Sequence, residues 1–295
     1  MSTTHDTPTR APAEEAPVTL ADGTRVVERR WAADAGTPDA GALLLVHGLG
    51  EHARRYDHVA AAIGALGIEV RSFDQRGFGR SDGPRATLPS PDALVDDAAL
   101  MYERVAMERR ARGDARAPFI LGHSMGGCIV ARAVTGGWIR PRGMVLSSPA
   151  LRPRVSRVDR WAALVGDRWL PNLRVPNRLP MHQVSHDPDV LAAVRQDAEM
   201  HDRVTPRLVA FMLAAGERAI ADAVRCEVPT LLQVAGDDRF VDPAGAEAFH
   251  ARLPAGVGTL KRYDALYHEI YNERPADRAV VLADLVDWLR ARCAA

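Results

Sequence analysis

The residues of this chain best suited to chemistry are a serine, a histidine and an aspartate, each following an apolar run. Ser124 lies at the centre of the motif GHSMG at 122–126, between a run typical of a β-strand and a run with helical spacing. A serine on such a sharp turn exposes its hydroxyl above the strand, and the flanking glycines let strand and helix approach closely. The bare G-x-S-x-G pattern is weak, because it also occurs by chance in loops. Its place between a strand and a helix favours a nucleophile.

The predicted general base is His268. A serine hydroxyl is a weak nucleophile at neutral pH and needs a base, which in turn needs a group that orients it. Ten histidines compete for this role. His268 follows the last strand-like run and precedes the terminal helical run, whereas the others lie beside other motifs, on helices, in loops, in the 151–223 region or near the N-terminus.

Three aspartates leave the strand-like run 230–235 and compete for the orienting role: Asp237, Asp238 and Asp242. The resulting order is serine, aspartate, histidine, with separations of 114 (238 − 124) and 30 (268 − 238) residues. Hydrolases with a strand–turn–helix nucleophile use this order. Spacing alone leaves Asp237 and Asp238 open, and we choose Asp238.

A second glycine-containing turn, HGLG at 47–50, follows the strand-like run 43–46. From this place the backbone can supply an oxyanion donor, so the N–H groups of Leu49 and Met125 would hold the negative oxygen of a tetrahedral intermediate. Taken alone, this turn is equally well interpreted as an ordinary strand ending.

Strand-like and helical runs alternate along most of the chain. Strands are predicted over 43–47, 69–74, 118–122, 143–147, 230–235 and 259–263, and helices over 53–66, 91–112, 125–135, 243–252 and 276–292. This alternation predicts an α/β fold with a mostly parallel central sheet and helices on both faces. An antiparallel hairpin that turns at Asp22-Gly23 is predicted over 18–31.

The alternation stops between 151 and 223, where no convincing strand appears. We predict a helical cap over 151–223, inserted into a core formed by 17–150 and 224–295. The tryptophans and leucines of the cap either line an apolar channel or pack the cap itself. Residues 1–16 are rich in Pro, Thr and Ala and are predicted to be a disordered tail.

Composition excludes several classes of function. The chain has 295 residues, and its 38 basic side chains balance 38 acidic ones, which gives no electrostatic case for nucleic acid or an anionic membrane surface. Three scattered cysteines do not form a disulfide framework, and no apolar run has the length of a signal peptide or a membrane span. We expect a soluble, cytoplasmic protein; no pattern indicates an oligomeric state.

Six strings resemble, in order, the monoacylglycerol lipase and lysophospholipase group of α/β-hydrolases, also called serine aminopeptidase S33 or Hydrolase_4. They are HGLGEH at 47–52 with Arg55 and Tyr56, DQRGFGRSDG at 74–83, GHSMGG at 122–127, SSPA at 147–150, GDDR at 236–239, and YHE at 267–269 with Asn272 and Glu273. The resemblance covers the chain from about residue 18 and implies an α/β-hydrolase fold. In this family the aspartate directly before the arginine is the acid of the triad, which supports Asp238. The cap matches least well.

The expected chemistry is two-step acyl transfer without a metal or cofactor: Ser124 attacks an ester carbonyl, and water then hydrolyses the acyl-enzyme. An acyl-bearing small-molecule ester, such as a monoacylglycerol or lysophospholipid, fits an apolar cap, which could also touch lipid surfaces transiently. Alternatives are a small-ester carboxylesterase, a C–C bond hydrolase, a proline-type aminopeptidase that uses Asp197, Glu199 or Asp202, and a non-catalytic ligand-binding protein.

Overall fold

The computed structural model describes residues 13–293, and eight of their ten strands form one sheet. The strands are β1 (Glu14–Thr19), β2 (Arg25–Trp31), β3 (Gly41–Val46), β4 (Ile68–Asp74), β5 (Phe119–His123), β6 (Met144–Ser147), β7 (Val175–Pro176), β8 (Arg203–Val204), β9 (Thr230–Ala235) and β10 (Gly258–Tyr263). The order in the large sheet is β1-β2-β4-β3-β5-β6-β9-β10. The pairs β1–β2 and β2–β4 are antiparallel and the other five are parallel.

Helices cover both faces of this sheet. They are α1 (Asp57–Gly64), α2 (Ala93–Ala111), α3 (Met125–Thr135), α4 (Arg157–Trp169), α5 (Pro188–Gln196), α6 (Pro206–Asp222), α7 (Pro243–Arg252) and α8 (Pro275–Cys293). Leu44 of β3 belongs to the core shared with α2, α3 and α7, whereas Leu43 and Leu45 point to the core shared with α1 and α8. Burial on both faces explains the unbroken apolar run of β3, and the predicted α/β architecture is confirmed.

Local signals in the sequence set where several helices begin. The Thr205 hydroxyl accepts a hydrogen bond from the Leu208 N–H at the start of α6, and an Asp242 carboxylate oxygen accepts one from the Ala244 N–H at the start of α7. Each of these caps is followed by a proline, which suits the first helical position. The Ser156 hydroxyl caps α4 by accepting a hydrogen bond from the Asp159 N–H, without a following proline.

Helices α4, α5 and α6 lie between β6 and β9 in the chain, and α4 packs against α6. The approach is close at Gly166, where a Cβ atom would lie 2.8 Å from the Pro206 side chain. The expectation of no strand in this region is wrong in one detail, because β7 and β8 pair antiparallel over two residues each. The boundaries of the cap at 151 and 223 stay a prediction.

The N-terminal segment differs from expectation. Residues 1–12 of the predicted tail lie outside the described residues, but β1 begins at Glu14, so residues 14–16 are part of the sheet and not of a tail. The predicted hairpin is present and turns at Gly23, whose φ of 86° favours glycine. Within residues 13–293 no helix is long and apolar enough to cross a bilayer.

Candidate active site

Ser124 forms the turn between β5 and α3 in a conformation that L-residues rarely adopt, with φ 53° and ψ −119°. Its glycine neighbours are required sterically. A Cβ atom on Gly122 would lie 2.4 Å from the Gly126 carbonyl oxygen, and one on Gly126 would lie 2.1 Å from the Val46 carbonyl oxygen. The tight turn therefore holds the hydroxyl above the carboxyl edge of the sheet, as the motif predicted.

The three side chains singled out from the sequence meet at this edge. Oγ of Ser124 lies 2.8 Å from Nε2 of His268, and Nδ1 of His268 lies 2.6 Å from Oδ2 of Asp238. The other oxygen of Asp238 accepts hydrogen bonds from the N–H groups of Phe240 and Val241, at 2.8 and 2.9 Å. The Phe240 ring stacks on the imidazole, with 4.9 Å between ring centroids. Both partners of His268 are thus held in place.

The two competing aspartates are used elsewhere. Asp237 is 40% exposed at its side chain and forms an ion pair of 2.5 Å with Arg239. Asp242 caps α7. The geometry brings Asp238, and neither competitor, to the imidazole.

The charges around His268 favour its protonated form. Burial by itself lowers the pKa of His268, but the charge of Asp238 and its hydrogen bond outweigh burial, so the pKa lies above its ordinary value of 6.5. For Asp238 burial raises the pKa, and the histidine together with the two backbone donors brings it below its usual range. The neighbouring His123 behaves differently, because burial and the charge of His268 lower its pKa to about 4.

The HGLG turn lies beside the nucleophile. A Cβ atom on Gly48 would be 3.1 Å from the Cβ atom of Ser124, so only glycine allows this approach. Leu49 and Met125 line the same cavity as Ser124, and within residues 13–293 neither backbone N–H donates a hydrogen bond to another residue. Both groups are free to bind an oxyanion.

A buried ion cluster connects this turn to the loop of His268. The sequence left two roles open for Glu51, Arg55 and Tyr56, which were to brace the HGLG turn or to lie at the surface. Glu51 accepts hydrogen bonds from the Gly48 N–H at 2.5 Å and from the Tyr56 hydroxyl at 2.6 Å. Arg55 donates to Glu51 at 3.0 Å and makes two bonds of 2.6 Å to Glu269, the residue after His268. Burial raises the pKa of Glu51, yet Arg55 and the nearby histidines bring it to about 2. The only sequence signal was the family string around these residues.

A cavity of about 1140 Å³ opens above Ser124 and His268. Its floor comes from the sheet edge and its walls from the 151–223 region, including Trp169, Met181 and Met212. Among the described residues no group of three or more His, Cys, Asp or Glu side chains is arranged to hold a metal ion. The space suits a largely apolar small molecule.

The acids considered for an amine site all have partners. Asp197 lies 2.8 Å from Nε2 of His52, and Glu199 pairs with Arg54 at 2.6 Å. Asp202 pairs with Arg203 at 3.2 Å. His52 is buried, and its bond to Asp197 joins the segment after the HGLG turn to the 151–223 region.

Fold and site define an α/β-hydrolase with a serine–histidine–aspartate constellation at the carboxyl edge of its sheet. A model of the family described as serine aminopeptidase, S33 (Hydrolase_4) matches residues 37–275. The chain belongs to this family, and it is an enzyme of the carboxylic ester hydrolase class.

Curated relatives share the sequence over most of its length. The chain is 35% identical over 270 residues to a monoacylglycerol lipase of Mycolicibacterium smegmatis, which covers 90% of this chain and 93% of that protein. It is 29% identical over 293 residues to a monoglyceride lipase of Rattus norvegicus, which covers 98% of this chain and 94% of that protein. An uncharacterized abhydrolase domain-containing protein of Dictyostelium discoideum is 31% identical over 252 residues, 84% of this chain, which spans only 26% of that longer protein.

Solved structures give the same fold. The monoacylglycerol lipase of Paleococcus ferrophilus superimposes with a TM-score of 0.79 at 28% identity, over 96% of this chain and 100% of that one. A soluble variant of the monoglyceride lipase of Saccharomyces cerevisiae, in complex with a substrate analogue, has a TM-score of 0.88 over 97% of each chain. At 22% identity this second likeness shows the fold alone.

Proposed function

We propose that the protein hydrolyses lipid esters of the monoacylglycerol or lysophospholipid type, with Ser124 as nucleophile, His268 as general base and Asp238 as the orienting acid. One observation carries this proposal: the hydrogen-bonded chain from Ser124 through His268 to Asp238 lies at the floor of a large cavity. The similarity to two monoacylglycerol lipases and a monoglyceride lipase supports the choice of substrate class.

In the first step Oγ of Ser124 attacks the ester carbonyl carbon while Nε2 of His268 takes the hydroxyl proton. Asp238 stabilises the imidazolium that forms. The tetrahedral intermediate places its negative oxygen near the N–H groups of Leu49 and Met125, and each such donor typically contributes about 3 to 4 kcal/mol to barrier lowering. The imidazolium then gives its proton to the leaving alcohol, and Ser124 carries the acyl group.

In the second step a water molecule enters where the alcohol has left. Nε2 of His268 takes a proton from this water, which attacks the acyl-enzyme carbonyl and releases the carboxylic acid. The same oxyanion donors serve both steps, and the serine recovers its proton from the histidine. All groups needed for this cycle belong to the described residues.

Two features favour a lipid ester over the alternatives. The region we propose as the cap, residues 151–223, gives the cavity wall apolar side chains that can contact an acyl chain. A proline-type aminopeptidase needs unpaired acids to hold the substrate amine, but Asp197, Glu199 and Asp202 are all paired. We also infer that the cap touches the lipid phase transiently while substrate enters.

The proposal is tested by a substrate panel with the wild-type chain and two serine variants. We expect hydrolysis of monoacylglycerols and lysophospholipids, with short esters slower and proline amides inert. Ser124→Ala should lose hydrolysis and labelling by a fluorophosphonate probe, whereas Ser90→Ala, at an exposed serine outside the cavity, should keep both. Undiminished hydrolysis by Ser124→Ala, or proline amides as the preferred substrates, would reject the assignment.

A further inference from the structure

The loop that carries the proposed general base is fastened directly before His268. We call this loop, residues 267–273, the histidine loop. The backbone N–H of Tyr267 donates a hydrogen bond of 2.8 Å to Oε1 of Glu273. Glu273 is 0% exposed, so its carboxylate depends on protein donors in place of water. The sequence singled out Glu273 as part of a family string but gave it no role.

The other donors to Glu273 come from the region inserted between β6 and β9. The His186 N–H donates a bond of 3.0 Å to Oε2 of Glu273, and Nδ1 of His186 lies 2.9 Å from Oε1. Because a carboxylate only accepts hydrogen bonds, Nδ1 carries the proton of this contact. The His186 imidazole also stacks on the Tyr267 ring, with 3.6 Å between ring centroids. Glu273 thus joins two segments that are distant in sequence.

The same part of the inserted region bonds the backbone that follows the proposed base. We call residues 184–187 the clamp segment. The N–H of Glu269 donates a bond of 3.0 Å to the Val184 carbonyl oxygen, and the Ser185 hydroxyl donates one of 2.7 Å to the Asn272 carbonyl oxygen. Val184 and Ser185 are each 1% exposed, so water does not compete for these bonds. The histidine loop is therefore held on both sides of the imidazole.

The clamp segment is itself anchored at both ends. Val184 belongs to the hydrophobic core that β3 shares with α2, α3 and α7. At the other end the Asp187 N–H donates to the Ser185 hydroxyl oxygen at 2.9 Å, and the Asp187 carboxylate accepts a bond of 2.9 Å from the Asp189 N–H at the start of α5. The clamp segment can thus serve as the fixed side against which the histidine loop is placed.

We propose that His186 and Glu273 are positioning residues, which hold the histidine loop on the clamp segment and so keep the imidazole of His268 aligned with Ser124. Both lie outside the lining of the catalytic cavity and act through the loop. The inserted region then contributes to the chemical step as well as to the cavity wall. This inference rests on the proposed function, since it names the residues that position the base of that reaction.

The physical reason lies in the burial of Glu273. Without the imidazole of His186 the carboxylate keeps only backbone donors, and a buried charge with too few partners is costly. We expect the loop to shift until the carboxylate finds other donors or water. A displacement of about an ångström at a catalytic group lowers the rate by up to roughly 100-fold.

Two substitutions separate the ring of His186 from its hydrogen bond. His186→Phe keeps a ring that can stack on Tyr267 and removes the donor to Glu273, whereas His186→Asn keeps an N–H donor near the position of Nδ1 and removes the ring. On a short, water-dissolved ester we expect His186→Phe to lower kcat about 10- to 100-fold and to change KM less than about twofold. His186→Asn should recover most of the lost kcat. A residue that acted only through packing would give the reverse order.

Backbone hydrogen exchange gives a measurement that does not depend on activity. The amides of the histidine loop should exchange faster in His186→Phe than in wild type, while those of β5 stay as protected as before. His182→Phe is the matched control, because His182 is an exposed histidine of the same region outside the cavity. It should keep the kcat, the KM and the exchange rates of wild type.

A double variant keeps the test valid if the buried charge prevents His186→Phe from folding. Combining His186→Phe with Glu273→Gln removes the charge together with the donor. The fold then no longer contains an unpaired carboxylate, but the clamp is still missing. We expect a low kcat and a nearly normal KM for this variant as well.

Three outcomes would overturn the inference. One is a His186→Phe variant that matches wild type in kcat and in exchange of the histidine loop. Another is an equal loss of kcat in His186→Phe and His186→Asn. The third is exchange that becomes faster to the same extent throughout the chain, which would give His186 a role in global stability only. If wild type hydrolyses no ester, the proposed function fails, while the exchange rates still decide whether His186 holds the loop.

Discussion

At the scale of single residues, the candidate site depends on His268, whose imidazole is held by three neighbouring side chains. His268 contacts Ser124 at one ring nitrogen and Asp238 at the other, while Phe240 stacks on its face. Asp238 in turn accepts two backbone hydrogen bonds besides the one from the histidine. The imidazole therefore keeps one orientation and one tautomer, as the proposed role of Asp238 requires.

The pH dependence of hydrolysis follows from this arrangement. The base must be neutral, so activity falls as pH drops through the pKa of His268, which Asp238 raises above 6.5. For wild type we expect kcat/KM to begin to fall, with decreasing pH, at a pH above 6.5. We call this falling part of the profile the acid limb. Asp238→Asn should lower kcat about 10⁴-fold by removing the orienting charge, and should shift the limb of the residual activity to lower pH.

Asp237→Asn is the matched control, because the Asp237 side chain is 40% exposed and pairs with Arg239. It should keep both the rate and the acid limb of the wild-type enzyme. A large loss with Asp237→Asn and a small one with Asp238→Asn, measured as pH–rate profiles on a non-ionising ester, would show that the acid is misassigned.

At the scale of elements, two loops from distant parts of the sequence must be held in register. The HGLG turn after β3 carries Leu49, one of the two proposed oxyanion donors, and the loop after β10 carries His268. Arg55 joins them, because it bonds to Glu51 under the turn and to Glu269 beside the histidine. Glu51 and Glu269 are buried and the Arg55 side chain is 10% exposed, so each charge depends on the others for solvation.

Arg55→Lys tests this connection. A lysine keeps the charge but cannot make the two parallel bonds to Glu269, so we expect the loops to lose their relative placement. Misplacement of about an ångström lowers the rate by up to roughly 100-fold, and we expect kcat to fall more than KM rises. Arg54→Lys is the control, because Arg54 is 41% exposed and pairs with Glu199 through a single nitrogen. Equal kinetics for the two variants would mean that the Arg55 cluster only stabilises the fold.

The sequence predicts the local parts of this site and misses the connections between them. The motif around Ser124 and the strand–helix alternation depend on periodicity and glycine placement within a few residues, so they are visible in the sequence. The bond from Arg55 to Glu269 spans 214 residues, and that from His52 to Asp197 spans 145. Such pairs follow from tertiary packing, and no spacing rule identifies them. For the same reason the sequence left open whether the tryptophans of the 151–223 region line an apolar channel or pack that region itself.

At the scale of the whole molecule, the sheet carries a second buried ion cluster away from the catalytic edge. Arg71 of β4 is 1% exposed and donates to Glu69 on its own strand, to Glu28 on β2 and to Glu108 on α2. It thereby ties the antiparallel edge of the sheet to a helix on one face. None of these residues lines the catalytic cavity, so stability and activity can be measured as separate properties.

Removing Arg71 should destabilise the fold without changing the chemistry. Arg71→Met removes the cation that three carboxylates share. Loss of a buried partner costs about 3 to 5 kcal/mol of unfolding free energy when a charge is left unpaired. Glu69 and Glu108 keep ion pairs with Arg30, Arg104 and Arg112, so we expect the loss at or below the lower end of this range. Urea denaturation at neutral pH measures this loss, and kcat for the remaining folded enzyme should equal that of wild type. Arg104→Met, on a 41% exposed arginine of the same surface, should cost far less.

The difference between wild type and Arg71→Met should itself depend on pH. Burial raises the pKa of Glu69 and Glu108, but hydrogen bonds from Arg71 and its charge outweigh burial, so both values lie below the ordinary 4.5. The folded state then binds fewer protons than the unfolded chain. The stabilisation is fully present above about pH 4.5 and is lost as pH falls through the lowered values. Wild type and variant should therefore converge in unfolding free energy in acid, and a constant gap across this range would contradict the assignment of the stabilisation to these charges.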